Sequence, residues 1–101
     1  IQVMEDYIRD QLPIGLADIE STADYMRTSV RTLQRKLEEK QLTFSQVLDK
    51  VRQEMAISYL QQTETKVIYI AQMLGFSEQS AFQRAFKRWT GKTPKQFRNG
   101  L

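Results

Sequence analysis

The chain has 101 residues and a formal net charge of +3, and it contains neither cysteine nor histidine. A chain of this length forms one domain, with one modest core or two very small joined ones. The missing residue types exclude disulfides, thiolate nucleophiles, Cys/His zinc sites and imidazole catalysis, and no metal or cofactor is expected. No apolar run approaches the roughly 18 residues that span a bilayer, and no signal peptide is recognisable. The first residue is Ile, so we expect a fragment of a longer polypeptide.

Hydrophobic spacing of three, four and seven residues predicts an all-α chain of seven helices, without strands. The expected helices cover 1–12, 18–26, 30–40, 44–61, 67–74, 78–89 and 94–98. Asp18, Ser29 and Ser77 are the predicted N-caps, and Gly75 is expected to end the fifth helix. We expect a single DNA-binding domain over 1–101. It divides into a first subdomain at about 1–42, a linker helix at about 43–62 and a second subdomain at about 63–101.

Charge is distributed unevenly along the chain. Residues 1–24 carry one basic and six acidic side chains, whereas residues 25–101 carry fourteen basic and six acidic ones. From Gln79 to the end there are six basic residues and no acidic one. A basic C-terminal half is expected of a surface that binds phosphates, although charge alone leaves an ordinary solvated surface equally open.

One sequence pattern occurs twice. The first copy runs from Thr22 to Leu37 and the second from Ile70 to Phe86. The interval from Arg35 to Arg84 is one residue longer than the interval from Ala23 to Ala71, so the second copy has one extra residue after its turn. Each copy predicts a helix–turn–helix, in which a small residue of the first helix packs on an apolar stripe of the second. The duplication predicts two homeodomain-like subdomains that read double-stranded DNA.

The outward faces of the two recognition helices carry the side chains that read base edges, since Arg suits guanine and Gln suits adenine. Such faces also occur on solvated helices, and it is their duplication after matching turns that favours DNA reading. The outward face of the first copy carries Arg31, Gln34, Arg35 and Glu38, and that of the second carries Gln79, Ser80, Gln83, Arg84 and Lys87. The predicted inner stripes, which face the core, are Val30, Leu33 and Leu37 in the first copy and Ala81, Phe82, Ala85, Phe86 and Trp89 in the second.

The linker helix has a length that suits two-site reading. Residues 44–61 would form roughly 27 Å of helix at 1.5 Å per residue. Successive major-groove openings on one DNA face lie about 34 Å apart. A rigid spacer of this length could hold two recognition helices near adjacent groove segments, although a helix with an apolar stripe also serves as core.

The residues resemble the DNA-binding domain of AraC/XylS-type bacterial transcription regulators. The strongest likeness lies in Ile70–Ser77, Phe82–Lys87, Thr90–Pro94 and Phe97-Arg98. The resemblance covers roughly residues 18–98, and its finer features are similar to the ornithine-utilisation and virulence regulators. It implies two helix–turn–helix subdomains on an asymmetric site, in a cytoplasmic, nucleoid-associated bacterial activator. It also implies an N-terminal sensor and dimerisation domain that is absent from this sequence.

The resemblance implies base contacts at Arg31, Gln34, Arg35, Gln79, Ser80, Gln83 and Arg84, all on the two outward faces. It also implies phosphate contacts beside them. The predicted phosphate contacts are Arg27, Lys87, Arg88, Lys92, Thr93 and Lys95. Arg27 departs from the family, which usually has a small residue in the first turn. Either this turn differs, or Arg27 adopts a strained left-handed backbone. Arg52 and Arg98 are assigned to structural ion-pair or helix-end roles, and Phe82, Phe86, Trp89 and Phe97 to the core.

Two other classes of function compete with DNA binding. A helical protein–protein module, for example one that docks on RNA polymerase, predicts an exposed apolar patch and weak, salt-insensitive DNA binding. The acidic N-terminal segment could serve such a partner alongside DNA. An enzyme is disfavoured, because the acidic residues are scattered and no phosphate loop occurs. Neither a membrane nor a small-molecule substrate is predicted as a partner.

Overall fold

The computed structural model describes residues 1–100, and within that range the chain forms seven α-helices and no strand. A short 3-10 helix, Leu12–Ile14, follows the first α-helix and ends at Gly15, whose φ is 77°. The α-helices are α1 (Gln2–Gln11), α2 (Ile19–Tyr25), α3 (Val30–Glu39), α4 (Phe44–Gln62), α5 (Val67–Met73), α6 (Gln79–Thr90) and α7 (Pro94–Arg98). The predicted class, the number of helices and their order are confirmed. No predicted helix end differs from the observed one by more than one residue.

The chain divides into two compact units, and the boundary between Arg52 and Gln53 falls inside α4. In the first unit, α2 packs against both α1 and α3. Its core is made of apolar side chains that recur at helical spacing. The buried members are Met4, Ile8, Leu12, Ala17, Ala23, Leu33, Leu37, Val47 and Val51. The small Ala23, which the repeat singled out, is 2% exposed, so it fills the close-packing role predicted for it.

An ion pair with a buried carboxylate links α1 to α4 inside the first unit. The carboxylate of Glu5 is buried, and its Oε2 atom lies 2.7 Å from Nζ of Lys50. A buried carboxylate is costly unless it is paired, so this contact satisfies a group that would otherwise oppose folding. The pairing joins residues far apart in the chain and was not predicted from the sequence.

The second unit is built around an aromatic cluster. Phe82 and Phe86 are fully buried, and their rings meet edge to face with centroids 5.8 Å apart. Trp89 and Phe97 are partly buried against the same cluster. The buried residues are Ala56, Leu60, Ile70, Ala71, Leu74, Phe82 and Phe86. The prediction that the four aromatic side chains serve as core is confirmed.

Hydrogen-bonding caps begin several of the helices. The carboxylate of Asp18 accepts a hydrogen bond from the Ser21 N–H at 3.0 Å, and the Ser21 hydroxyl donates to it at 2.8 Å. These hydrogen bonds stabilise the charged carboxylate and hold the pKa of Asp18 below its ordinary value, and the bond from the backbone N–H of Ser21 contributes most. Ser29 caps α3 by accepting from the Thr32 N–H at 3.0 Å. Both predicted caps are confirmed, and each fixes where a helix of the first motif begins.

Candidate nucleic-acid interface

The turn of the first motif is a Schellman motif with a non-glycine residue in left-handed backbone. Arg27 follows the last residues of α2 and has a φ of 56°. The Thr28 N–H donates to the Ala23 carbonyl at 3.0 Å, and the Arg27 N–H donates to the Asp24 carbonyl at 3.0 Å. This pair of bonds satisfies carbonyls that the helix end would leave unpaired.

The second motif has the same turn. Gly75 has a φ of 83° and stands where Arg27 stands in the first copy. The Phe76 N–H donates to the Ala71 carbonyl and the Gly75 N–H to the Gln72 carbonyl, both at 3.0 Å. Of the two alternatives left open for Arg27, the strained backbone is therefore confirmed: the hydrogen bonds of the turn are unchanged, and an arginine occupies the position of a glycine.

Replacing Arg27 by glycine is expected to stabilise the first unit. A side chain in left-handed backbone costs about 1–2 kcal/mol, part of which returns as extra freedom of glycine in the unfolded chain. We expect a net gain of about 0.5–1 kcal/mol in the free energy of unfolding, measured by urea denaturation. Gly75→Ala is the matched control and should destabilise the protein. A loss of stability in Arg27→Gly would mean that contacts of the arginine side chain outweigh its strain.

The recognition helices begin differently in the two copies. The first, α3, starts directly after its cap Ser29, whereas α6 starts at Gln79 after the N-cap residue Glu78, which makes no side-chain capping bond. The predicted cap Ser77 is therefore wrong by one residue. The Phe82 N–H donates to the Glu78 carbonyl at 3.4 Å, so Glu78 accepts the first backbone hydrogen bond of α6. The extra residue of the second copy places Glu78, and not Ser77, at the position that Ser29 has in the first copy.

Almost all predicted base contacts lie on exposed faces. Arg31, Gln34 and Arg35 are exposed on α3, while Leu33 and Leu37 on the same helix are buried. On α6, Ser80, Gln83 and Arg84 are exposed, whereas Gln79 is half-buried. The predicted inner stripes pack as expected, with Val30, Ala81 and Trp89 partly buried and Ala85 buried. Each copy thus presents an Arg/Gln surface, called here the outer face of α3 and the outer face of α6.

The predicted phosphate contacts form two groups. Arg27, Lys87, Arg88, Lys92 and Lys95 are exposed. Thr93 is half-buried and begins α7 with a capping box: its hydroxyl accepts from the Gln96 N–H at 3.1 Å, and its own N–H donates to Gln96 Oε1 at 3.0 Å. Because the Thr93 N–H is already bonded, only its hydroxyl hydrogen remains for a phosphate.

The duplication extends further than the sequence pattern indicated. Thr43 and Gln46 form the same reciprocal pair at the start of α4 that Thr93 and Gln96 form at the start of α7. Gln41 and Gly91, which follow the two recognition helices, correspond at the same offset, and their φ values are 59° and 80°. Both copies contain a Thr-x-x-Gln pattern in the sequence. The number of residues between equivalent positions of the two copies increases by one at two places along the motif, and this made the shared pattern difficult to recognise. Each repeat is therefore a three-helix unit.

Electrostatics differ between the two motifs. The first helix of the first motif carries Asp18, Glu20 and Asp24, and an open groove of about 340 Å³ beside it is lined partly by Glu20 and Asp24. The corresponding helix of the second motif carries no carboxylate and is preceded by Lys66. Carboxylates beside a phosphate backbone are repelled. The basic side chains of the first motif lie instead in its turn and on α3.

Arg98 and Arg52, the two arginines assigned to structural roles, have different surroundings. Arg98 donates to three backbone carbonyls at the end of α4, those of Tyr59, Leu60 and Thr63, each at 3.2 Å. Its predicted role as a helix-end partner is confirmed. Arg52 is half-buried on α4; burial lowers its pKa, and the nearby charge of Asp49 opposes that shift.

Within residues 1–100, no helix is long and apolar enough to cross a membrane. Over the same range, no three His, Cys, Asp or Glu side chains come together in a way that could hold a metal ion.

Comparison with known proteins identifies the family. A family model described as a helix-turn-helix domain matches residues 22–100. The regulator VqsM of Pseudomonas aeruginosa is 39% identical over the whole chain, which spans 30% of its length. The ornithine utilization regulator of the same organism is 43% identical over 86 residues, covering 85% of this chain and 25% of that protein.

Among solved structures, the C-terminal domain of AraT, a response regulator from Geobacillus stearothermophilus, superimposes with a TM-score of 0.85 at 30% identity. The match covers 99% of this chain and 84% of that one. Together with the two exposed outer faces and the matching turns, these likenesses settle the kind of protein. The chain belongs to the AraC-type helix-turn-helix family of DNA-binding transcription regulators.

Proposed function

We propose that this chain binds an asymmetric double-stranded DNA site, with α3 and α6 in adjacent major-groove segments, and thereby regulates transcription. The observation that carries the proposal is the pair of exposed Arg/Gln faces, each following the same left-handed turn. A helix–turn–helix presents its second helix to the major groove, where Arg and Gln distinguish bases. Two such faces in one chain could read what a symmetric dimer usually reads.

The base contacts proposed are the predicted ones on the two outer faces. On α3 these are Arg31, Gln34 and Arg35; on α6 they are Gln79, Ser80, Gln83 and Arg84. Because Gln79 is half-buried, we expect its contribution to be smaller than that of Gln83. We further propose that α3 contributes more to sequence choice, and that α6 with its basic C-terminal neighbours contributes more to phosphate anchorage. Hydrogen bonds to phosphates position a protein but carry no sequence information.

We propose that α4 acts as a spacer between the two recognition helices, and the length of α4 supports this proposal. Its 19 residues correspond to about 28 Å of helix at 1.5 Å per residue. That length is close to the roughly 34 Å between successive major-groove openings on one face of DNA. We expect that a helical-turn insertion into α4 would abolish high-affinity binding to the natural site, because the two faces would no longer meet their groove segments together.

The activity of the longer protein is proposed by analogy, because the chain spans only 25–30% of the regulators it matches. We propose a cytoplasmic activator without catalytic activity, with a sensor and dimerisation domain elsewhere in the polypeptide. The first unit has exposed apolar side chains at Ile14, Leu16 and Tyr25, and residues 1–24 of the same unit carry six acidic side chains. We propose that these exposed groups contact RNA polymerase in addition to the binding of DNA.

Selection of bound sequences from a random DNA pool tests the proposal directly. We expect an enriched site with two blocks about one helical turn apart and no internal symmetry. Absence of any enriched sequence would overturn the proposal. Weak binding that does not depend on salt would instead favour a protein–protein module, since DNA binding releases counterions and is salt-sensitive.

Replacing Lys92 by alanine is expected to weaken binding to all DNA sequences alike. Lys92 is exposed between α6 and α7, and a single phosphate contact contributes about one unit to the slope of log affinity against log salt. Affinities measured over a salt series should show a slope smaller by about 1. Lys40→Ala, which removes an exposed lysine at the C-terminal end of α3 and outside the predicted contacts, is the matched control. A change in base preference in Lys92→Ala would contradict the phosphate assignment.

A further inference from the structure

A single carboxylate lies at the base-reading end of the second recognition helix. Between residues 65 and 101 the chain has seven basic side chains and one acidic one, Glu78. Glu78 is exposed and is the N-cap residue of α6. In a helix–turn–helix, the N-terminal residues of the recognition helix are the ones that meet base edges.

The Glu78 side chain is held on the outer face of α6. Its Oε2 atom accepts a hydrogen bond from the Ser80 hydroxyl at 3.1 Å. Ser80 shares its face with Gln83, Arg84 and Lys87, since these residues are spaced three, four and seven along the helix. The carboxylate makes no capping bond to the backbone of α6. The bond to Ser80 therefore places it beside the predicted base contacts.

The first motif has no such group at the equivalent place. Ser29 corresponds to Glu78 when the two recognition helices are aligned, and its hydroxyl is used to cap α3 and to bond the Thr32 hydroxyl at 2.9 Å. The extra residue in the second copy moves Ser77 out of the capping position and puts a carboxylate there. This is a difference in kind between the two recognition helices: one has a neutral cap, the other an anion.

A carboxylate in this position opposes phosphate binding and discriminates among bases. It accepts hydrogen bonds only, so it is repelled by the acceptor edges of guanine and thymine in the major groove. Cytosine carries an amino donor and no acceptor on its own major-groove edge, whereas adenine carries an acceptor beside its donor, and acidic side chains pair with the cytosine amino group. On the basis of the proposed DNA-binding function, we propose that Glu78, positioned by Ser80, is a specificity-determining residue that selects a cytosine in the block read by α6.

Selection from a random DNA pool, followed by affinity measurements on single-base variants, tests this assignment. Wild-type protein should prefer cytosine at one position of the second block by about five- to tenfold over the other bases. Glu78→Gln should lose that preference, or replace it with adenine, while the first block is unchanged. Ser80→Ala, which keeps every charge, should reduce the same preference by releasing the carboxylate.

The controls separate base reading from simple charge. Glu64→Gln removes an equal charge in the connector before α5 and should leave all base preferences unchanged. If Glu78→Gln strengthens binding to every sequence equally, the carboxylate only repels phosphates and the assignment is wrong. If Glu78→Gln lowers thermal stability without altering any preference, the group only complements the helix dipole, and the assignment is again wrong. A wild-type protein that enriches no sequence would overturn the proposed function itself, a result distinct from enrichment without a cytosine.

Discussion

Alanine at Arg35 is expected to weaken binding to the preferred DNA site by about 1–3 kcal/mol, which is about five- to more than a hundredfold in affinity. Arg35 is exposed at the centre of the outer face of α3, between Arg31 and Glu38. A guanidinium that pairs with both acceptors of a guanine discriminates it from the other bases by this amount. Fluorescence anisotropy titrations with the DNA site enriched from the random pool would give the dissociation constants of the wild-type and Arg35→Ala proteins.

Arg84→Ala on α6 is the companion change, and we expect a loss in the same range but smaller than that of Arg35→Ala. The outer face of α6 has Gln and Ser around a single arginine, and it is followed by exposed lysines, which we propose as phosphate contacts that add sequence-independent affinity. A double-mutant cycle with the guanine replaced in the DNA would isolate the pairing. In Arg84→Ala, replacing that guanine should cause little further loss of affinity.

Lys36→Ala is the control for the loss of a cation from α3. Lys36 borders a small apolar cavity with Met4, Leu33 and Leu37, so it lies on the side of α3 that faces α1. Its removal should change affinity slightly and base preference not at all. A titration on the selected site that is unaffected by both Arg35→Ala and Arg84→Ala would contradict base reading by these faces.

Local signals were sufficient to predict the helices and the turns. Asp18 and Ser29 cap because a short acceptor side chain at these positions pairs with the next free N–H groups. Gly75 ends α5 because it adopts left-handed backbone at low cost. Arg27 could be recognised as strained only by comparison with the small residue that the family usually has there, since nothing in its own neighbourhood distinguishes a left-handed arginine.

The misplaced cap of α6 shows where a local signal fails. Ser77 matched Ser29 in the alignment of the turns, but the second copy has one more residue between the turn and the recognition helix, so Glu78 takes the cap position when the recognition helices are aligned. The alignment of the turns alone could not decide between Ser77 and Glu78. Because of the same extra residue, Glu78 was not considered among the predicted base contacts.

Contacts between distant residues were the least predictable. Glu5 pairs with Lys50, and Arg98 reaches carbonyls more than thirty positions earlier in the chain. The sequence suggested a structural role for Arg98 but gave no partner, because any exposed helix end could have served. These pairings follow from how the helices of each unit pack, and the local sequence does not specify that packing.

Alanine at Arg98 is expected to lower the free energy of unfolding of the second unit by about 2–3 kcal/mol. The last turn of α4 has no basic residue of its own, and the guanidinium of Arg98 supplies both the missing donors and a positive charge at that end. Removing it leaves the Leu60 carbonyl without this donor in a partly buried place. Urea denaturation followed by circular dichroism would measure the loss.

Lysine at the same position distinguishes hydrogen-bond geometry from charge. An ammonium group cannot reproduce the planar fork through which Nε and Nη2 of Arg98 reach three carbonyls, so we expect Arg98→Lys to recover less than half of the stability. Arg88→Ala, which removes an exposed arginine from α6, is the control and should alter stability by less than about 0.5 kcal/mol. If Arg98→Ala proves as stable as Arg88→Ala but loses affinity for every DNA sequence, the guanidinium binds phosphate rather than the end of α4. The same salt series proposed for Lys92 would then show a smaller slope for Arg98→Ala, whereas a helix-end role leaves the slope unchanged in the folded protein.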